Sequence, residues 1–203
     1  MTTKILSILL LSLMSFRGRA TYVNLSRYSE LNEKTYRRWF GKRLDFIEFN
    51  QVGISEIVTA SAEQIAVMDA SFVAKSGDKT YGLGKFYNSK QGKAEKGLEI
   101  STLAVVDVTY NTAYHLSTRQ TTPKAKGSQE SRVDDSLKHF QDDCHSLPKA
   151  IRYLVTDAYY SKQGFTHGVL ACGYHQIGKL QGVRQSALSL HGRTKSQRQT
   201  QTL

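Results

Sequence analysis

Three β-type runs, QIAVMDASFV (64–73), GLEISTLAVVDV (97–108) and TAYHLSTRQT (112–121), precede a helix, one more strand and a last helix. In the helix ESRVDDSLKHFQDDCHSL (130–147), Val133, Leu137 and Phe140 recur at helical spacing, and Pro148 stops it. AIRYLVTDAYY (150–160) reads as a buried strand, and SKQGFTHGVLACGYHQ (161–176) as a helix that Ser161 is placed to cap. The turn residues around Asn111 separate the second and third runs. This order of elements describes an α/β domain.

At 203 residues the chain accommodates one globular domain with a sizeable core and a small appendage. Its 28 Lys and Arg against 17 Asp and Glu give a formal charge of +11. Such a balance suits a polyanionic partner, because each neutralised phosphate releases condensed counterions. Two cysteines, Cys144 and Cys172, form no disulfide framework and fit reduced thiols of a cytosolic protein. His167, Cys172 and His175 are spaced to bring three metal-ligand types together on one helix, but a structural zinc site takes four ligands and no fourth is evident.

The N-terminal MTTKILSILLLSLMSF is too short to span a bilayer and is followed by RGRA where a small-residue cleavage site would stand. It reads as a buried helix of a cytoplasmic protein, with an export signal on a secreted basic protein as the alternative. In RGRATYVNLSRYSELNEKTYRRWFGKR (17–43), basic and aromatic residues interleave. Two short helices broken near Ser29–Asn32, the second capped by Asn32, outline a helix-turn-helix at about 23–42. Its second helix would turn Lys34, Thr35, Arg37 and Arg38 to DNA and pack Tyr36, Trp39 and Phe40 inward. An ordinary helical hairpin with a solvated basic face is the competing reading. A further helix covers 45–61.

The stretch AKSGDKTYGLGKFYNSKQGKAEKG (74–97) is rich in lysine and glycine, yet its glycines do not match phosphate-loop spacings. It reads as a basic, flexible insertion, with Lys75, Lys79, Lys85 and Lys93 available to a DNA backbone; a long solvated hairpin is the alternative.

Asp69 sits inside the first apolar run and Asp157 at the end of a later, parallel one. Two-metal phosphoryl transfer needs carboxylates on rigid elements, one bridging ions about 4 Å apart and others flanking them. Burial of an unpaired Asp is costly, which favours a ligand role for Asp69. A strand-end turn acid is the competing reading of Asp157.

The segments MDASFVAKSGDKTYGLGKFYNSKQGKAEKGLEISTLAVVDV and YLVTDAYYSK resemble the catalytic core of DDE transposases of bacterial insertion sequences, and NLSRYSELNEKTYRRWF resembles their leading DNA-binding segment. The resemblance implies an incomplete ribonuclease H-like mixed sheet preceded by a small helical segment. It implies DNA strand cleavage by activated water at transposon ends, then joining of the 3′-hydroxyl to target DNA, with two Mg²⁺. Asp69 takes the place of the family's first acid and Asp157 its second; both would be catalytic metal ligands. DNA, as transposon ends and target, is the implied partner. Assembly into a homo-oligomer, a cytoplasmic, nucleoid-associated location and no membrane association are implied with it. The family's third acid is a glutamate on a later helix, and no Asp or Glu follows Asp157.

The expected division is a helical DNA-binding segment at 1–60, a partial DDE core at 61–177 carrying the insertion 74–97, and an irregular tail at 178–203. The tail's polar composition and the fading of the resemblance near Ile177 suggest that a frameshift replaced the C-terminal part, leaving an inactive fragment. The alternative function is a non-catalytic DNA-binding regulator, or an inhibitor of an intact transposase.

Overall fold

The longest strand, β3 (Lys93–Asp107), begins before the apolar run 97–108 and organises the sheet. The computed structural model describes residues 3–42, 44–59, 62–77, 79–124 and 128–179. Along one edge β3 pairs antiparallel with β1 (Gln64–Ala74), from Gln64↔Asp107 to Ala74↔Gly97. Along the other it pairs first with β2 (Gly84–Asn88) and then with β4 (Thr112–Thr121), both antiparallel. On the far side of β1, β5 (Tyr153–Thr156) is parallel to it, and β6 (His175–Gly178) is parallel to β5. The resulting order, β4–β3–β1–β5–β6 with β2 extending the β3 edge, is a mixed sheet of the kind that the ribonuclease H-like resemblance implies.

Three helices cover one face. They are α4 (Phe46–Ile57), capped by Asp45, α5 (Arg132–Asp143), opened by a Ser131/Asp134 capping box, and α6 (Gln163–Ala171). Ala66, Met68, Leu103, Val105 and Leu116 meet Ile54, Phe140, Phe165 and Val169 in a single core. N-terminal to this lie α1 (Thr3–Ser15), α2 (Tyr22–Ser26) and α3 (Glu33–Phe40). The Ser12 and Tyr36 hydroxyls, 2.7 Å apart, tie α1 to α3.

Several expectations change here. Within the stretch 74–97 the alternative reading, a hairpin, holds for its second half: residues 84–88 and 93–97 are strands joined as a hairpin that lengthens the sheet. Gly97 makes this join feasible, because a Cβ there would collide with the Phe72 ring and lie 2.6 Å from the Val73 carbonyl oxygen. Gly97→Ala should therefore cost on the order of 2 kcal/mol, measured as a lowered urea midpoint with unchanged slope.

The strand expected over 150–160 is only four residues long. Asp157 Oδ1 accepts the Tyr159 N–H at 2.9 Å and bends the chain into a 3₁₀ turn, Ala158–Tyr160. The N-cap position of α6 is Lys162 rather than Ser161, whose hydroxyl donates to the Ala158 carbonyl. The last helix is also shorter than its sequence pattern. Gly173, at φ +82°, ends it and leaves room for β6.

Nor is α1 buried as a whole. Leu6 and Ser12 are enclosed, while Leu11 and Met14 are exposed. No helix among the described residues is long and apolar enough to cross a membrane. Phe40, expected inward, is exposed and leans on the Tyr22 ring. His167 is on α6 but His175 is on β6, so the three candidate zinc ligands do not share a helix.

Beneath the sheet is a buried polar network that the sequence pattern does not announce. A register shift opposite Leu103/Ala104 turns two successive β4 residues, Leu116 and Ser117, inward. Ser117 Oγ meets His139 Nε2 at 2.9 Å, and Ser101 Oγ meets Nδ1 at 3.0 Å. Asp143 Oδ2 stands 3.2 Å from the same Nε2, and Arg119 forks onto Asp142 and Asp143. Both the Ser117 and the Asp143 contacts fall on one ring nitrogen, so this is a structural bridge between α5 and β4 rather than a nucleophile relay. Burial, reinforced by the Arg119 charge, pushes the His139 pKa down to about 4 although Asp143 opposes the shift.

Candidate active site

Parallel pairing of β1 with β5 runs Ala66↔Leu154, Val67↔Val155, Met68↔Thr156. One residue further along each strand come Asp69 and Asp157, side by side at the point where β5 ends. Each carboxylate is anchored through one oxygen: Asp69 Oδ1 accepts the Ala70 N–H at 2.8 Å, and Asp157 Oδ1 accepts that of Tyr159. Asp69 is exposed to the site rather than buried in its strand, so the burial cost expected from the sequence is not what marks it. Its pKa is nonetheless raised, first by partial desolvation and also by the neighbouring Asp157 charge, against the opposing Ala70 hydrogen bond.

Both aspartates line one cavity of about 900 Å³, together with Ser71, Lys90, Glu99, Arg132 and Tyr159. Two adjacent carboxylates are the donor set that a hard divalent cation takes, and their oxygens fit Mg²⁺. They supply two ligands. Among the described residues no three His, Cys, Asp or Glu side chains are grouped to hold an ion. Glu99, the third carboxyl of the cavity, is held by Arg132 at 2.7 Å, and burial raises its pKa.

The expected DNA-facing residues lie elsewhere. On α3, Lys34, Arg37 and Arg38 are exposed, but Arg37 pairs with Glu33 at 2.6 Å and stacks on Tyr22, and the Thr35 hydroxyl donates to the cap residue Asn32. Lys75, Lys79, Lys85 and Lys93 are all exposed around the hairpin and do not line the cavity. Lys90, in the hairpin turn, does. It and Arg132 are the cavity's cations, and sequence reasoning singled out neither.

The profile of the DDE superfamily endonuclease family matches residues 2–202. The chain belongs to the DDE superfamily of endonucleases. The match runs through the stretch whose composition suggested a changed reading frame. The superfamily generally uses divalent metal ions.

Among solved structures, this DDE endonuclease is similar to the piggyBac transposase synaptic complex with hairpin DNA, at 13% identity and TM-score 0.39, over 58% of this chain and 23% of that one. It is similar to Ciona intestinalis endonuclease V bound to inosine-containing DNA, at 10% identity and TM-score 0.35, over 72% of this chain and 57% of the other. Bacillus subtilis endonuclease V matches at 13% and 0.34, over 68% of this chain and 56% of its own. The chain thus spans less than two thirds of each of these proteins. No curated protein matches.

Proposed function

We propose that this DDE endonuclease acts on DNA as a transposase of the insertion-sequence type, cleaving a strand at an element end and transferring it. The observation that carries the reading is the placement of Asp69, midway along β1, beside Asp157, just past the end of the parallel strand β5, in one open cavity. In this reading Asp69 and Asp157 hold Mg²⁺. When bound, the ion lowers the pKa of a water nucleophile and stabilises charge on the scissile phosphate.

The chain's own contribution is placement. Backbone N–H groups of Ala70 and Tyr159 fix the two carboxylates before any substrate arrives, so little reorganisation accompanies binding. Because no acid follows Asp157 in the sequence, and among the described residues no third carboxylate is grouped with the two aspartates to hold an ion, Glu99 being engaged by Arg132, strand transfer by this chain alone should be weak.

The test is Mg²⁺-dependent nicking of DNA carrying the element's ends, by the chain and by Asp69→Asn and Asp157→Asn. Residual nicking should fall at least a hundredfold in each variant, the scale of losing a metal-positioning group. Nicking that survives both substitutions overturns the assignment. End-specific DNA binding with no nicking at all, unchanged in both variants, would instead make the chain a DNA-binding regulator.

A further inference from the structure

Arg132 opens α5 and stands in the wall of the cavity that holds Asp69 and Asp157. Its side chain is 31% exposed, and it is held on two sides. Nη1 donates to Glu99 Oε2 at 2.7 Å, and Cζ lies 5.6 Å from the centre of the buried Phe86 ring. Both partners come from the sheet: Phe86 is on β2 and Glu99 on β3, opposite Phe72 in the β1 register. The hairpin and the N-terminus of α5 therefore converge to orient one guanidinium.

A guanidinium presents five donors in a planar fork. Among the described residues, Arg132 gives one side-chain hydrogen bond, to Glu99, which occupies one edge of the fork. A phosphate takes such a fork through two parallel hydrogen bonds, and prior fixing of the plane reduces the entropy lost on contact. The site also has an electrostatic need. Two carboxylates repel a DNA backbone, and Lys90 is exposed on a turn, whereas Arg132 is anchored beside them.

We infer that Arg132 is a substrate-binding residue that grips a DNA backbone phosphate beside Asp69 and Asp157, and that Glu99 is the positioning residue that aims it. The inference rests on the proposed reading of the site. Glu99 works through Arg132, so it bears on DNA without touching it.

The test is a salt titration of the full chain binding a fluorescently labelled DNA duplex in EDTA, with each variant checked for folding by its melting curve. Arg132→Gln should weaken binding about tenfold, and flatten the plot of log K against log salt by about 0.9, one phosphate's worth. Arg132→Lys should keep the slope and lose part of the affinity, because a point charge cannot fork. It carries the test should Arg132→Gln not fold. Glu99→Gln should keep the slope and weaken binding several-fold.

Folded Arg132→Gln with the parent's slope and affinity overturns the inference, as does Arg132→Lys with full affinity. Parent affinity in Glu99→Gln overturns the positioning role. Asp69→Asn in the same titration should tighten binding by removing a repulsive charge. If it tightens while Arg132→Gln does nothing, only the Arg132 assignment fails. If neither substitution changes binding, DNA does not enter the cavity and the site reading fails with it.

Discussion

Millimolar Mg²⁺ should raise the melting temperature of this chain, and Asp69→Asn should remove that rise while making the metal-free protein more stable. The second half follows from the raised Asp69 pKa, whose leading cause is partial desolvation, with the Asp157 charge adding to it. A carboxyl whose folded pKa lies above its unfolded value binds protons better when folded. Its ionisation therefore costs stability, fully above the raised pKa and not at all below the ordinary 3.8. Asparagine at 69 escapes that cost, so its advantage in metal-free buffer should be complete at neutral pH and vanish in strong acid. Metal binding reverses the ranking: an ion that binds only the folded state adds RT ln(1 + [L]/Kd), about 2.7 kcal/mol at a hundred times Kd. Differential scanning fluorimetry with and without Mg²⁺, across pH, reads both effects. Equal stabilisation of the parent, Asp69→Asn and Asp157→Asn by Mg²⁺ would show that the ion binds somewhere other than these two aspartates.

The two aspartates were legible because strand periodicity sets their positions without any tertiary detail. An acid inside one apolar run and another at the end of a later run come together once the runs pair in parallel, and the Met68↔Thr156 register does that. The helices α4 and α5 were legible for a similar reason: caps and apolar spacing are local signals. What was hidden depends on contacts distant in sequence. β2 is a five-residue strand inside a glycine- and lysine-rich stretch, and its pairing is supported by the burial of Phe86 and by Gly97 against Phe72, contacts that a propensity pattern does not show. β6 is four residues long and follows a left-handed glycine, so it reads locally as the end of a helix. Arg132 is far from either aspartate in sequence and reaches the cavity only because α5 starts where the hairpin ends in space. The apolar N-terminal run misled for the opposite reason, since its composition suggests burial while α1 leaves Leu11 and Met14 exposed.

Acid should unfold this chain earlier than its carboxylates alone explain, through His139. Its folded pKa, about 4, lies below the ordinary 6.5, chiefly because the ring is buried. Between those values the unfolded state binds a proton that the folded state refuses, so stability present above pH 6.5 is lost as pH falls toward 4. At about 1.4 kcal/mol per unit the loss is on the order of 3 kcal/mol, and His139→Gln should flatten that limb of the pH–stability curve. Arg119→Met probes the same network from the other side. At pH 7 it leaves the Asp143 carboxylate, 4% exposed, without its cation, at a cost on the order of 3 kcal/mol. It also removes a positive charge that holds His139 neutral, so a protonated His139, 3.2 Å from Asp143, becomes the replacement partner as pH falls. The gap between Arg119→Met and the parent in urea midpoint should therefore be widest at neutral pH and narrow toward pH 5. A gap of constant size would mean that His139 and Asp143 do not exchange partners, and that Arg119 acts on β4 and α5 through packing alone.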